Sequence, residues 1–183
     1  MRSIAVAAPS LMVAYGVLRW IGGLDGHHRG GWPWTVGHLA FFMAMVLFAA
    51  LAVALFRSPG GRRRAVAAVA TVAAVAGAGC FLWVIAGDLS SSLADRWPLP
   101  DPLQAAGPVF FVLGMVTLLV LRVADRRLPV WSPVLFLAGF VAVSVNLDLL
   151  PFGALVVLTA LVPLARAAAT IRRTPKVSAA RST

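Results

Sequence analysis

Apolar residues run along this chain in six long blocks, separated by short stretches of Gly, Pro, Asp and Arg. The blocks cover residues 4–21, 35–56, 65–87, 102–123, 128–147 and 149–168, with boundaries good to a few positions. Each is close to the ~17–25 residues a helix needs to cross the hydrocarbon core of a bilayer. A backbone in lipid must satisfy its own hydrogen bonds, and a helix does so within one segment. The pattern predicts an all-α fold, a polytopic bundle of about six transmembrane helices.

Two blocks need further argument. The fifth and sixth are joined by almost nothing, so a very tight turn is expected between Asn146 and Pro151, with a single long re-entrant segment as the alternative. The first block begins near Arg2 and invites comparison with a signal peptide. It is long, however, and is followed by Arg19, Trp20, Ile21 and a Gly-rich loop rather than a small-residue cleavage site, so an uncleaved helix is expected.

Charge then sets the orientation. With the N-terminus inside, Arg2, the loops 57–64 and 122–127 and the chain from Arg166 onward put thirteen basic residues on the inner face, against Arg19, Arg29 and Arg96 outside. Five Asp residues, Asp25, Asp88, Asp95, Asp101 and Asp148, fall outside, and only Asp125 falls inside. That asymmetry is the positive-inside signature and predicts both ends in the cytoplasm. Trp20, Trp32, Trp34 and Trp97 would mark the outer interface and Trp131 the inner one. One helical domain, residues 1–169, is expected, followed by a basic cytoplasmic tail, 170–183, without stable structure.

Composition narrows the partners. The chain is 61% hydrophobic and only 12% charged, and its mean hydropathy is +0.91. A soluble domain of 183 residues has too little interior to hide so much apolar surface. The net charge of +10 sits in short clusters between apolar runs. It therefore reads as topology signals touching anionic lipid headgroups, with membrane lipids as partners and no nucleic acid. Assembly with itself or with other chains stays open. Arg, Ala, Val and Gly are abundant and Glu is absent, a bias expected of GC-rich coding. That points to a bacterial cytoplasmic membrane.

Candidate chemistry is thin. Ionisable residues at mid-span usually serve a function, and none is found there. Active transport therefore ranks low. Polar residues gather instead toward the outer side: Tyr15 and Arg19 on one helix face, then Asp25, His38, Asp88, Asn146 and Asp148. Arg19 is the basic residue best placed to pair with Asp88 or Asp148. A capping role is the plainer reading for Asp148, for Asp101 before Pro102, and for Thr35. His38 is expected to hydrogen-bond Asp88, Asn146 or a carbonyl. His27, His28, His38 and Asp88 form a weak metal alternative, since no spaced metal motif is present. No cofactor is expected. Cys80 reads as a small buried residue, and Ser90, Ser91 and Ser92 lack any nucleophile motif.

Small residues recur on the third block, Ala70, Ala74 and Ala78 on one face and Ala73 and Gly77 on the next, which predicts a close-packed, central helix. Gly37, Phe41, Met45 and Val46 match Gly107, Phe111, Met115 and Val116 at a spacing of 70 residues, a loose hint of repeated hairpins. Three functions are compatible with these residues. A non-enzymatic membrane component that binds a lipid or apolar ligand, or supports a partner complex, comes first. An outer-face enzyme built on the His/Asp cluster is second. A passive channel is third, and Thr71, Thr117, Ser144 and Thr159 are few for its lining.

Overall fold

A computed structural model describes residues 1–24, 31–56 and 63–170 of the chain. Its helices are α1 (Arg2–Leu24), α2 (Trp32–Phe56), α3 (Arg63–Leu89), α4 (Ser91–Arg96), α5 (Asp101–Ala124), α6 (Trp131–Val145) and α7 (Leu150–Thr170). A 3-10 turn, Leu147–Leu149, joins the last two. Among the described residues there is no strand. Five segments are long and apolar enough to cross a membrane: α1, α2, α3, α5 and the 3-10 turn running into α7. The protein is a multi-pass membrane protein with an all-α fold.

The fifth apolar block is the exception in length. α6 has 15 residues, a rise of ~22 Å against a hydrocarbon core of ~30 Å. Pro129 and Val130 precede it, and Asn146 ends it with an extended backbone (φ −149°, ψ 119°). The tight turn takes this form: the Asp148 N–H donates to the Asn146 side chain at 2.8 Å, and the Leu149 N–H to the Asn146 carbonyl at 3.0 Å. Asn146 thus caps the turn, the role expected of Asp148. Pro151 lies in the first turn of α7, where a missing N–H costs nothing. The chain makes two antiparallel helices here, not one re-entrant segment.

Other starts differ by small steps. α2 begins a turn before Thr35, whose hydroxyl donates to the Gly31 carbonyl at 3.3 Å. α5 is capped by Pro100, with Asp101 in its first turn. Asp101 supports that end through the helix dipole, not as the cap. α4 was not legible in the hydropathy. Ser90 breaks α3 with an extended backbone, and α4 follows at once.

Six helices close into a ring in the order α1, α2, α3, α5, α6, α7 and back to α1. α5 and α6 form the thinnest wall. Phe48, Phe111 and Phe136 are fully buried in the middle and pack edge-to-face or tilted, with centroids 5.6 Å apart for Phe48 and Phe111. α3 is therefore part of the wall and not central. Its small face does what small residues do in lipid, admitting a neighbouring backbone at close range. A Cβ built on Gly77 would lie 2.4 Å from the Gly107 carbonyl oxygen, and one on Gly114 would lie 2.5 Å from the Ala70 carbonyl oxygen. α6 and α7 use Gly139 and Gly153 in the same way. Outward-facing positions stay apolar, with Val69 71% and Val72 68% exposed, as expected of a surface wetted by lipid.

The end of the bundle that carries Arg63 is locked by polar contacts. Arg63 pairs with Asp125 at 2.9 Å, tying the start of α3 to the end of α5. Arg122, buried on α5, donates to the Leu55 carbonyl in the last turn of α2. It satisfies an acceptor that the helix leaves open and sits at the negative end of its dipole.

Candidate functional site

At the opposite end, α2 lays Trp34, His38 and Phe41 on one face, because residues three and four apart are neighbours on a helix. α1 brings Tyr15 against them, and Gly37 makes room: a Cβ there would lie 3.1 Å from the Tyr15 ring. Trp34 and Tyr15 flank the His38 ring at centroid distances of 3.8 and 5.3 Å. Tyr15 stacks on Phe41 at 4.8 Å, and Phe41 leads through Phe81 to Phe111 in the core. The polar cluster is thus the upper end of a continuous aromatic column.

His38 is 3% exposed. Its Nδ1 lies 2.8 Å from the Trp34 carbonyl, and its Nε2 lies 3.7 Å from Asp88 Oδ2. A carbonyl only accepts, so Nδ1 carries the hydrogen and Nε2 faces the carboxylate. Nδ1 is held by main chain, while Nε2 faces Asp88 at a separation longer than a hydrogen bond. The imidazole is buried and its orientation is fixed by the Trp34 carbonyl. It ties α2 to the end of α3.

Arg19 does not pair with Asp88 or with Asp148, as had been expected from its position. Asp88 turns to His38, and the Arg19 guanidinium lies beside the Tyr15 hydroxyl. Arg19 Nε is buried without a hydrogen-bond partner among the described residues. The four residues Tyr15, Arg19, His38 and Asp88 therefore converge. Asn146 and Asp148 sit in the next sector of the ring, where Trp20 Nε1 donates to the Asp148 carbonyl at 2.9 Å. Asp25, His27 and His28 lie outside the described residues, as does the chain after residue 170. Among the described residues no three His, Cys, Asp or Glu side chains gather as metal ligands.

Below the cluster, the thin wall between α5 and α6 opens into a crevice of about 420 Å³. Pro108, Val109 and Val112 form one lip, and Leu137, Val141 and Ser144 the other. Met12, Phe41 and Phe81 close the back. Phe41 is shared with the Tyr15 stack, so the crevice runs up against the polar cluster. A second, smaller cavity of about 160 Å³ lies between α3, α4 and the start of α5, with Asp88 on its wall. Neither cavity is legible in the sequence. Their walls come from residues on different helices, and no local pattern marks which faces stand apart.

Hydroxyls inside the spans give no polar path. Thr71, Thr117, Ser144 and Thr159 each donate to the carbonyl four residues back on their own helix, at 2.7, 2.7, 2.9 and 2.9 Å. Cys80 lies against Gly107, where it fills space between α3 and α5. Ser90 and Ser92 share a hydroxyl contact at 3.0 Å. No protein-family model, curated protein or solved structure matches the chain.

Proposed function

We propose that the protein is a non-enzymatic, multi-pass component of a bacterial cytoplasmic membrane that holds the acyl chain of a lipid in the crevice between α5 and α6. In this reading both ends of the chain face the cytoplasm, and the His38 cluster lies toward the outer side. The crevice carries the proposal. It is apolar, it opens through the wall of the bundle, and the medium outside that wall is hydrocarbon. An aliphatic chain entering it exchanges lipid contacts for Phe41, Phe81 and Phe140, and polar groups need not be desolvated. The burial of His38 and the self-satisfied hydroxyls favour this reading over an enzyme or a channel.

The test uses the full chain in vesicles containing a phospholipid with a photoreactive diazirine on its acyl chain. Illumination should give adducts concentrated on the lips of the crevice, at Val109, Leu137 and Val141. Leu137 is 41% exposed, so Leu137→Trp fills the entrance without overpacking the core. It should cut that labelling about fivefold, since the indole occupies the entrance and a chain already in hydrocarbon forfeits only packing contacts. Labelling spread evenly around the bundle and indifferent to Leu137→Trp would remove the reading.

A further inference from the structure

The smaller cavity, between α3, α4 and the start of α5, has a chemistry of its own. Trp83, Asp88, Trp97 and Gln104 give it its polar and aromatic character, and Val84 and Leu99 complete it. Among the described residues no Arg, Lys or His lines it. The indole N–H of Trp83 is spent on the Trp97 carbonyl at 2.9 Å, and the Gln104 amide nitrogen turns to the Leu99 carbonyl at 2.8 Å. Pro108 supplies no N–H to the Gln104 carbonyl four residues back, which leaves a further acceptor on that residue. What remains to offer a ligand is a carboxylate, two indoles and carbonyl oxygens.

Asp88 is the centre of this set. Its side chain is 48% exposed, and His38 faces only Oδ2, at 3.7 Å. Oδ1 has no partner among the described residues. A lone carboxylate is a poor site for a divalent cation, which takes six or more oxygens. Beside aromatic faces it suits an organic cation, attracted by the carboxylate and by the ring quadrupoles together. Among the described residues an anion would meet no cationic side chain there, and it would be repelled by the Asp88 carboxylate.

We propose that this cavity binds an alkylammonium group, with Asp88 as counter-ion and Trp83 and Trp97 as its aromatic walls. The volume of about 160 Å³ suits an ethanolammonium or trimethylammonium group. Gln104 in the cavity and Pro108 on the crevice lip lie one turn apart on α5, a rise of ~6 Å. One amphiphile can therefore place its ammonium in the cavity and a chain in the crevice. That extension rests on the lipid reading above. The ammonium site itself stands on Asp88 and the indoles.

The experiment titrates the purified full chain in detergent with tetramethylammonium chloride, against sodium chloride at equal ionic strength, and follows tryptophan fluorescence. A second arm counts bound lipids by native mass spectrometry from equal mixtures of phosphatidylethanolamine, phosphatidylcholine and phosphatidylglycerol. The expected result is a saturable response to tetramethylammonium, weakened about tenfold by Asp88→Asn and by Trp97→Leu. Trp97 is 62% exposed and does not touch His38, so Trp97→Leu reports on the site even if Asp88→Asn disturbs folding. Preference for the two ammonium lipids over phosphatidylglycerol, lost in both variants, assigns the ligand to a lipid headgroup. Saturable tetramethylammonium binding without lipid preference assigns it to a soluble amine and still supports the site. Asp88-dependent ammonium binding with no crevice labelling would end the acyl-chain reading and keep this one. A folded protein with no saturable response to tetramethylammonium overturns the proposal.

Discussion

Single residues at the two ends of the bundle carry opposite assignments. At the Arg63 end, Arg126 follows α5 with a left-handed backbone (φ 56°). Its N–H donates to the Val123 carbonyl at 2.8 Å, and the Arg127 N–H to the Arg122 carbonyl at 2.9 Å. This is a Schellman closure, whose left-handed position favours Gly because a Cβ there meets the following carbonyl. Arg126→Gly should therefore stabilise the protein by about 0.5–1 kcal/mol, the relief exceeding the added freedom of the unfolded chain. Thermal unfolding in detergent measures it, and a lower midpoint would show that Arg126 makes contacts worth more than its backbone strain. At the other end, the polar residues toward one side were legible in the sequence as a set, because His, Asp, Arg and Tyr stand out against Ala and Val. Their pairing was not. Arg19 looked like the partner of Asp88 because opposite charges at one depth attract. The geometry instead lets His38 reach Asp88 across the α2–α3 contact, while Arg19 stays with Tyr15 on its own helix. Sequence spacing fixes neighbours within a helix and says little about which neighbour faces which across helices.

Among elements, contact between α3 and α5 is decided by backbone approach. Two glycines on α3 make a controlled comparison. Gly77 faces α5, and its Cβ would lie 2.4 Å from both the Gly107 carbonyl oxygen and the Phe111 nitrogen. Gly79, two residues on, has nothing within 4 Å. Gly77→Ala must push two backbones apart and should cost about 1–3 kcal/mol. Gly79→Ala gains helix propensity and should be neutral or stabilising by up to ~1 kcal/mol. Unfolding of both variants by SDS in mixed micelles gives the pair of values. Equal effects would mean that α3 and α5 are not held by this close contact. The helices themselves could be read from hydropathy because lipid leaves the backbone no alternative to internal hydrogen bonding. The small-residue face of α3 was legible for the same kind of reason, and only its place in the ring was misread. Small residues say that a helix is approached closely, and they do not say from how many sides. α4 and the late start of α6 were hidden, since the first depends on Ser90 breaking α3 and the second on Leu128, Pro129 and Val130 staying outside the helix in a run that reads as apolar.

For the whole molecule, sidedness ties the site to its ligand. The proposed headgroup cavity and acyl crevice can serve an outer-leaflet lipid only if the Asp88 end faces outward and the Arg63 end faces the cytoplasm. The ring orders the helices so that Arg63, Arg122 and Asp125 share one end, with Trp97, Asp88 and α4 at the other. Inverting the bundle would carry several arginines across the bilayer, each at a cost of about 2.5–3.5 kcal/mol at its centre. One orientation is therefore expected. Ser92 on α4 and Arg64 near the start of α3 are both exposed and stand at opposite ends. In a Cys80→Ala background, which removes the chain's one native thiol, Ser92→Cys should react with a membrane-impermeant maleimide on intact cells. Arg64→Cys should react only after lysis. The reverse pattern would place Asp88 and the indoles against the inner leaflet, and the ammonium ligand would then have to come from the cytoplasmic side. Equal labelling of both positions on intact cells would mean mixed orientation, and a single outer-leaflet ligand would no longer account for the cavity and the crevice together.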